Sequence, residues 1–316
     1  MKKRQESRCC AVSALAKGIR LWYTVFLQIL FGGGRDPNMR ADGRRVKTAQ
    51  PMYQVVAHIL AERSDSMNMT EVDIPLEPMQ QYLNDKRKEG VTISHLGLFL
   101  AAFIRTLCEF PYLNRFVVNK TIYARNEVAI GMVVLKPGIH EGTMNKMYFD
   151  RTNTIYEVQK IIDKYIAENR ETGDTNSTDD IIRKLLAVPG LCRFGVNVFK
   201  WADKHGLLPK KIIDASPFHC TMTVTNLASI RTNHIYHHVY NFGTTTMIMA
   251  MGNAREVPVR RRGEIEFVRM MPVGVVMDER ICSGSQYAIA FKRFEHYLKN
   301  PSLLEVPPET VLDDLP

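Results

Sequence analysis

The sequence predicts an α/β domain in which one mixed sheet is backed by helices. Three observations carry this. The run Glu264–Met277 reads as a long strand, passes through a short polar turn and continues as a helix over Ser285–Leu298. The run Ser94–Glu109 is nearly all apolar, which marks a buried helix rather than one lying at the surface. Strand-like and helix-like segments mix without strict alternation, so a doubly wound nucleotide-binding sheet is not expected. There is no internal repeat.

The other elements follow in order. Pro51–Glu62 has helical spacing at Val55, Val56, Ile59 and Leu60. Met67–Ile74 reads as a strand, and Glu77–Glu89 as a polar helix stopped by Gly90. Pro111 closes the apolar helix. Phe116–Val118 and Thr121–Tyr123 flank Asn119-Lys120, a hairpin turn. Glu127–Leu135 is a strand, after which Lys136-Pro-Gly138 turns the chain. Asn153–Arg170 places Ile155, Val158, Ile161, Ile162 and Ile166 on one helical face. Glu171–Asp180 is a polar loop, and Ile181–Ile213 is helical, apolar and basic. Cys220–Asn226 and Thr244–Gly252 read as strands, with a His-rich loop between them. Arg255–Arg262 reads as a basic hairpin tip.

Composition is that of an ordinary soluble globular protein, with 45% hydrophobic and 24% charged residues in 316. The net charge of +9 is concentrated in residues 1–48, which carry +8. A nucleic-acid footprint belongs on the folded body, so nucleic-acid binding is not expected. None of the six cysteines forms a Cys-x-x-Cys pair, and no Cys/His cluster has zinc-like spacing. Free thiols, a cytoplasmic location and no metal are the expectation.

Residues 1–38 form a basic and apolar leader. Its run Leu21–Phe31 is shorter than the ~20 residues that span a bilayer. It partly imitates a secretory signal. It also suits a membrane-surface anchor, with Lys17 and Arg20 flanking Trp22, Phe26 and Leu27. The favoured reading is an upstream extension, with the domain beginning at Met39 and running to 316.

From Met39 to Leu304 the chain resembles the CoA-dependent acyltransferase superfamily: chloramphenicol acetyltransferases and the catalytic domain of 2-oxo-acid dehydrogenase acyltransferases. The pieces that carry the resemblance are Met67–Ile74, Phe110-Pro-Tyr-Leu-Asn114, Glu127–Leu135, Thr221-Met-Thr-Val-Thr-Asn226, Asp278-Glu-Arg-Ile-Cys-Ser-Gly284 and Asn300-Pro-Ser-Leu-Leu304. Each is weak alone, but six occur in order at compatible spacing. The resemblance implies a chloramphenicol acetyltransferase-like two-layer sandwich, a homotrimer, and coenzyme A or acyl-CoA as substrate with an unidentified acceptor. No lipoyl or peripheral-subunit-binding domain precedes the body, so a stand-alone catalytic-type domain is expected. The family's connection is shorter at 181–213. That stretch is expected to be a helical insert acting as a lid, a partner-docking element or a membrane-surface helix.

The same resemblance assigns the site. Family members carry Asp-His-Arg-x-x-Asp-Gly at this turn. Here Glu279 stands at the position of the catalytic His, and Ser283 at that of the structural Asp. Thr225 matches the hydroxyl that donates to the tetrahedral oxyanion across a trimer interface. Arg63 would be the Asp's arginine partner, and loses that reason with Ser283 in place. Ser283 can still hold the turn by hydrogen-bonding local backbone.

A glutamate, ordinarily near ~4.3, is a weak base for a thiol near ~8.5. Burial can raise it, but its charge opposes a nearby oxyanion. Arg280, next in sequence, is placed to neutralise it. His219, His234, His237 and His238 are candidate substitutes. Cys282 is expected to be a packed small residue, because a neighbouring carboxylate disfavours its thiolate. Three readings therefore stand: an acyltransferase, a non-catalytic relative that binds a ligand or partner through the same channel, and a membrane-associated scaffold that rests on the leader and the Ile181–Ile213 stretch.

Overall fold

The computed structural model describes residues 40–135, 142–171 and 190–314. The leader, the Lys136–Gly138 turn, the 172–180 loop and the 181–189 part of the insert lie outside the described residues.

Among the described residues two sheets are present. The small one orders β1 (Gly43–Arg45), β4 (Thr121–Arg125) and β3 (Arg115–Val118) side by side. The turn between β3 and β4 is Asn119-Lys120, both at positive φ (48° and 61°), which suits a two-residue hairpin matched to strand twist. The large sheet has seven strands in the order β2 (Met67–Pro75), β10 (Glu264–Asp278), β8 (Met247–Met251), β7 (Met222–Asn226), β5 (Val128–Leu135) and β6 (Gly142–Phe149), with β9 (Arg255–Arg261) paired to the first half of β10. β7 runs parallel to both β5 and β8, and the other pairings are antiparallel. The sheet is mixed, as expected.

Helices α1 (Pro51–Ile59), α2 (Leu76–Lys88), α3 (His95–Glu109), α4 (Ile155–Glu171), α5 (Leu191–Lys204), α6 (Lys210–Ala215) and α7 (Gly284–Lys299) complete the described order. Ser94 caps α3 by accepting from the Gly97 N–H, and every residue from Leu96 to Cys108 is buried. α3 packs against α4 and α7, where Phe99 meets Phe294 edge-on with ring centroids 5.0 Å apart. Period-two alternation then sorts the central strands. Met247, Met249, Met251, Val273, Val275 and Met277 join this helix-covered core. Ile248 and Val276 point to the other face, where Val239 and Met67 cover them.

Four expectations need correction. Arg255–Arg261 is a full strand rather than a hairpin tip, and the tip is Arg262-Gly263, both at positive φ. Its charges obscured the alternation because this ribbon is exposed on both faces. β6, an edge strand of mixed polarity, was not expected at all. The strand expected from Thr244 begins at Met247, because buried Thr244 and Thr245 spend their backbone N–H groups on the Phe218 carbonyl. In the insert, α5 and α6 are separate short helices joined at Gly206–Pro209.

Candidate active site at the turn after β10

β10 delivers Asp278 into a fully buried position, where its carboxylate accepts four hydrogen bonds and forms an ion pair with a second guanidinium. Arg280 supplies Nε to Oδ1 at 2.8 Å, Nη2 to Oδ2 at 2.7 Å and its backbone N–H to Oδ1 at 3.1 Å. Ser66 Oγ donates at 3.0 Å, and Arg63 Nε lies 3.5 Å from Oδ2. Arg63 also donates to the carbonyls of Tyr240 (2.6 Å), Gly243 (3.0 Å) and Val117 (3.3 Å). Burial pulls its guanidinium down to about 10, Asp278 opposes that shift, and Arg280 and Arg125 reinforce it. Tyr287 closes the other side by donating to the Asp278 carbonyl at 2.9 Å.

This arrangement corrects two expectations. Arg63 keeps a carboxylate partner, and that partner is Asp278. Arg280 is turned onto Asp278 and so does not neutralise Glu279. Sequence reasoning took Asp278 only as part of the motif frame. The Asp-x-Arg spacing at a strand end was the available signal, since residues two apart across a tight turn can fold back on one another.

Glu279 follows immediately and is half-buried. Its backbone N–H donates to the Ser66 carbonyl at 2.9 Å, and its carboxylate accepts from Asn68 Nδ2 at 2.9 Å. Ile281 and Cys282 are fully buried, and burial pushes the Cys282 thiol up to about 12. Ser283 is the N-cap of α7. Its hydroxyl accepts from the Gln286 N–H at 3.1 Å, and Gln286 Oε1 accepts from the Ser283 N–H at 2.9 Å, a reciprocal capping box. The turn is also braced from outside. Arg115 Nη1 donates to the Ile281 carbonyl at 3.3 Å, while its Nε and Nη2 grip the Asp314 carboxylate at 2.5 and 2.6 Å.

Thr225 lies near the end of β7, half-buried and on the face opposite Val224. It is in register with Ala250, and Ala250 with Gly274. Glu279 is five residues beyond Gly274, roughly 17 Å along the strands and about 10 Å across them from Thr225. Within one chain the two cannot meet. The segment 232–240 crosses the sheet on the Thr225 face, close above β8 and β10. A Cβ at Gly274 would stand 2.5 Å from the Ile235 carbonyl oxygen, so these strands need glycine for that approach.

Three of the four candidate histidines have other partners. His219 is buried, with Nδ1 2.8 Å from Ser216 Oγ and Nε2 3.3 Å from Asp203. His234 pairs with Glu71 at 3.6 Å. His238 meets the Tyr240 ring edge-on. His237 is pushed down by burial and then by His238. Among the described residues no group of three or more His, Cys, Asp or Glu side chains is placed to hold a metal ion.

Residues 218–306 match the family described as 2-oxoacid dehydrogenases acyltransferase (catalytic domain). This segment holds Thr225, Glu279 and Ser283. The chain is similar to the CoA-dependent acyltransferase superfamily. The acyltransferase fold extends beyond that segment. A probable dihydrolipoamide acetyltransferase from Listeria monocytogenes superposes with a TM-score of 0.52 at 14% identity, over 85% of this chain and 96% of that one. The dihydrolipoamide acetyltransferase of Azotobacter vinelandii gives 0.54 at 15%, over 79% and 89%. A chloramphenicol acetyltransferase gives 0.51 at 11%, over 81% and 99%. No curated protein sequence matches the chain. The two-layer α/β sandwich read from the motifs is thus the fold observed.

Proposed function

We propose that the chain is a CoA-dependent acyltransferase whose site is completed between two copies. Thr225 of one copy would face the Glu279 turn of the next, in a homotrimer of the kind the resemblance implies. The observation that supports this best is the buried lock on Asp278. Holding a carboxylate and two guanidinium groups out of water is costly, and here it fixes the backbone of the turn that carries Glu279. A chain that had abandoned the site has no need for that frame.

In this reading, acyl-CoA and a thiol or hydroxyl acceptor enter from opposite ends of the channel. Glu279 accepts the acceptor's proton as its sulfur or oxygen attacks the thioester carbonyl. The oxyanion takes a hydrogen bond from the Thr225 hydroxyl, a contribution worth about 10²–10³ in rate for such donors. Collapse of the tetrahedral species breaks the carbon–sulfur bond to CoA, whose thiolate recovers the proton. The acyl group and the acceptor are not fixed by these residues.

A non-catalytic relative, binding a ligand or a protein partner through the same channel, is the second reading. It is favoured by one observation: the Glu279 carboxylate is already engaged by Asn68 rather than directed at an open position. Calorimetry with acetyl-CoA, followed by turnover against thiol acceptors, separates the two. Micromolar binding with turnover that disappears in Glu279→Gln supports the acyltransferase. Binding without turnover supports the second reading, and no binding up to millimolar acetyl-CoA rejects both as CoA-directed functions.

A further inference from the structure

The insert presents a face that the acyltransferase reading does not use. α5 is strongly two-sided. Phe199 and Ala202 turn inward with Leu207, Leu208, Ile212 and Ile213 to form a small core of their own. Asp203, the only acidic residue of the helix, is buried against His219. What remains outward is unusual for a surface helix. Phe194 is 57% exposed and Trp201 53%, one above the other at a spacing of seven. Arg193, Lys200 and Lys204 line the adjacent stripe, all exposed. No carboxylate of α5 interrupts this surface.

We propose that the outer face of α5 docks on an anionic phospholipid surface. Paired aromatics beside a row of cations are the pattern of helices that lie in the headgroup plane. The rings enter the acyl boundary while the lysines reach phosphate oxygens. Trp201, tilted against His205 with centroids 4.7 Å apart, has the amphipathic ring that favours this depth. Charge complementarity selects an anionic surface over a neutral one. The helix does not cross: among the described residues none is long and apolar enough to do so. The inference stands whether or not the chain transfers acyl groups.

The test uses the full chain with Trp22→Phe, which leaves Trp201 as the sole tryptophan. It is mixed with phosphatidylglycerol/phosphatidylcholine vesicles and, separately, with pure phosphatidylcholine. The expected result is a blue shift of Trp201 emission and co-sedimentation with the anionic vesicles alone, both lost at salt on the order of 0.5 M. Lys200→Glu with Lys204→Glu weakens binding about ten-fold or more, with thermal stability unchanged because both side chains are exposed. Three outcomes overturn the proposal. One is no emission shift. Another is vesicle binding unaltered by the two reversals, which would place it in the leader. The third is a drop in oligomer mass in Phe194→Ser with Trp201→Ser, which would assign this face to a second copy.

Discussion

Arg280 grips Asp278 with two N–H groups on one edge of its guanidinium, at 2.8 and 2.7 Å, in a place closed to water. Two residues apart in sequence, they turn the chain back on itself and leave Glu279 at the apex. Removing one member of such a pair strands the other. Asp278→Asn keeps the volume and removes the charge, leaving Arg63 and Arg280 to repel. It is expected to destabilise the fold by about 3–5 kcal/mol, read as a lowered denaturant midpoint with unchanged m-value. A loss under 1 kcal/mol would show that solvent reaches the carboxylate.

Ser283 acts as a helix cap. Ser283→Ala is expected to cost about 1 kcal/mol. Ser283→Asp, which restores the family residue, is expected to fold as well as the wild type, because aspartate also caps helices and Arg63 is already engaged. Chemical denaturation of the three chains checks this. A gain of several kcal/mol in Ser283→Asp would mean that the Arg63 site prefers that carboxylate to Asp278.

Lys146 gives a pH signature. Its ammonium donates to the carbonyls of Ile213 (2.7 Å) and His219 (3.0 Å), and burial pulls it down from 10.5 to about 8. Between those values the unfolded chain holds the proton that the folded chain has released. Lys146 therefore opposes folding fully below about 8, and the penalty fades as pH rises toward 10.5. Wild-type stability is expected to rise relative to Lys146→Met across that window. A flat difference curve from thermal melts at pH 7 to 10.5 would contradict the assignment.

The C-terminal segment braces the turn. Asp314 holds Arg115, and Arg115 holds the Ile281 carbonyl. Asp314→Asn is expected to speed hydrogen exchange at the amides of 280–284 while leaving α3 protected. Equal loosening in both would mean the segment supports the whole domain and not the turn in particular.

Much of this was legible in the chain. The apolar run of α3, the alternation along β10 and the helix after Ser283 follow from local periodicity, and the sheet forms where they indicate. β6 and β9 were missed or misread because an edge strand and an exposed ribbon need no apolar face, so period-two alternation carries no signal there. At the site, the motif frame singled out Glu279, Ser283 and Thr225 as candidates, but the Asp278 partnership of Arg63 was not visible. Its partner lies over two hundred residues away, and only the β2–β10 pairing brings Ser66 and Asp278 together. The separation of Thr225 from Glu279 likewise depends on strand register, which sequence leaves open.

The most direct measurement is complementation between copies. Thr225→Ala and Glu279→Gln chains are co-expressed, and acetyl transfer from acetyl-CoA to dihydrolipoamide is compared with each variant alone. A site shared by adjacent copies predicts two nearly inactive homo-oligomers and a mixture recovering about a quarter of wild-type turnover, since one site in four draws both intact residues. A mixture no better than its components, from a wild type that does turn over, would place the site within one chain and contradict the account.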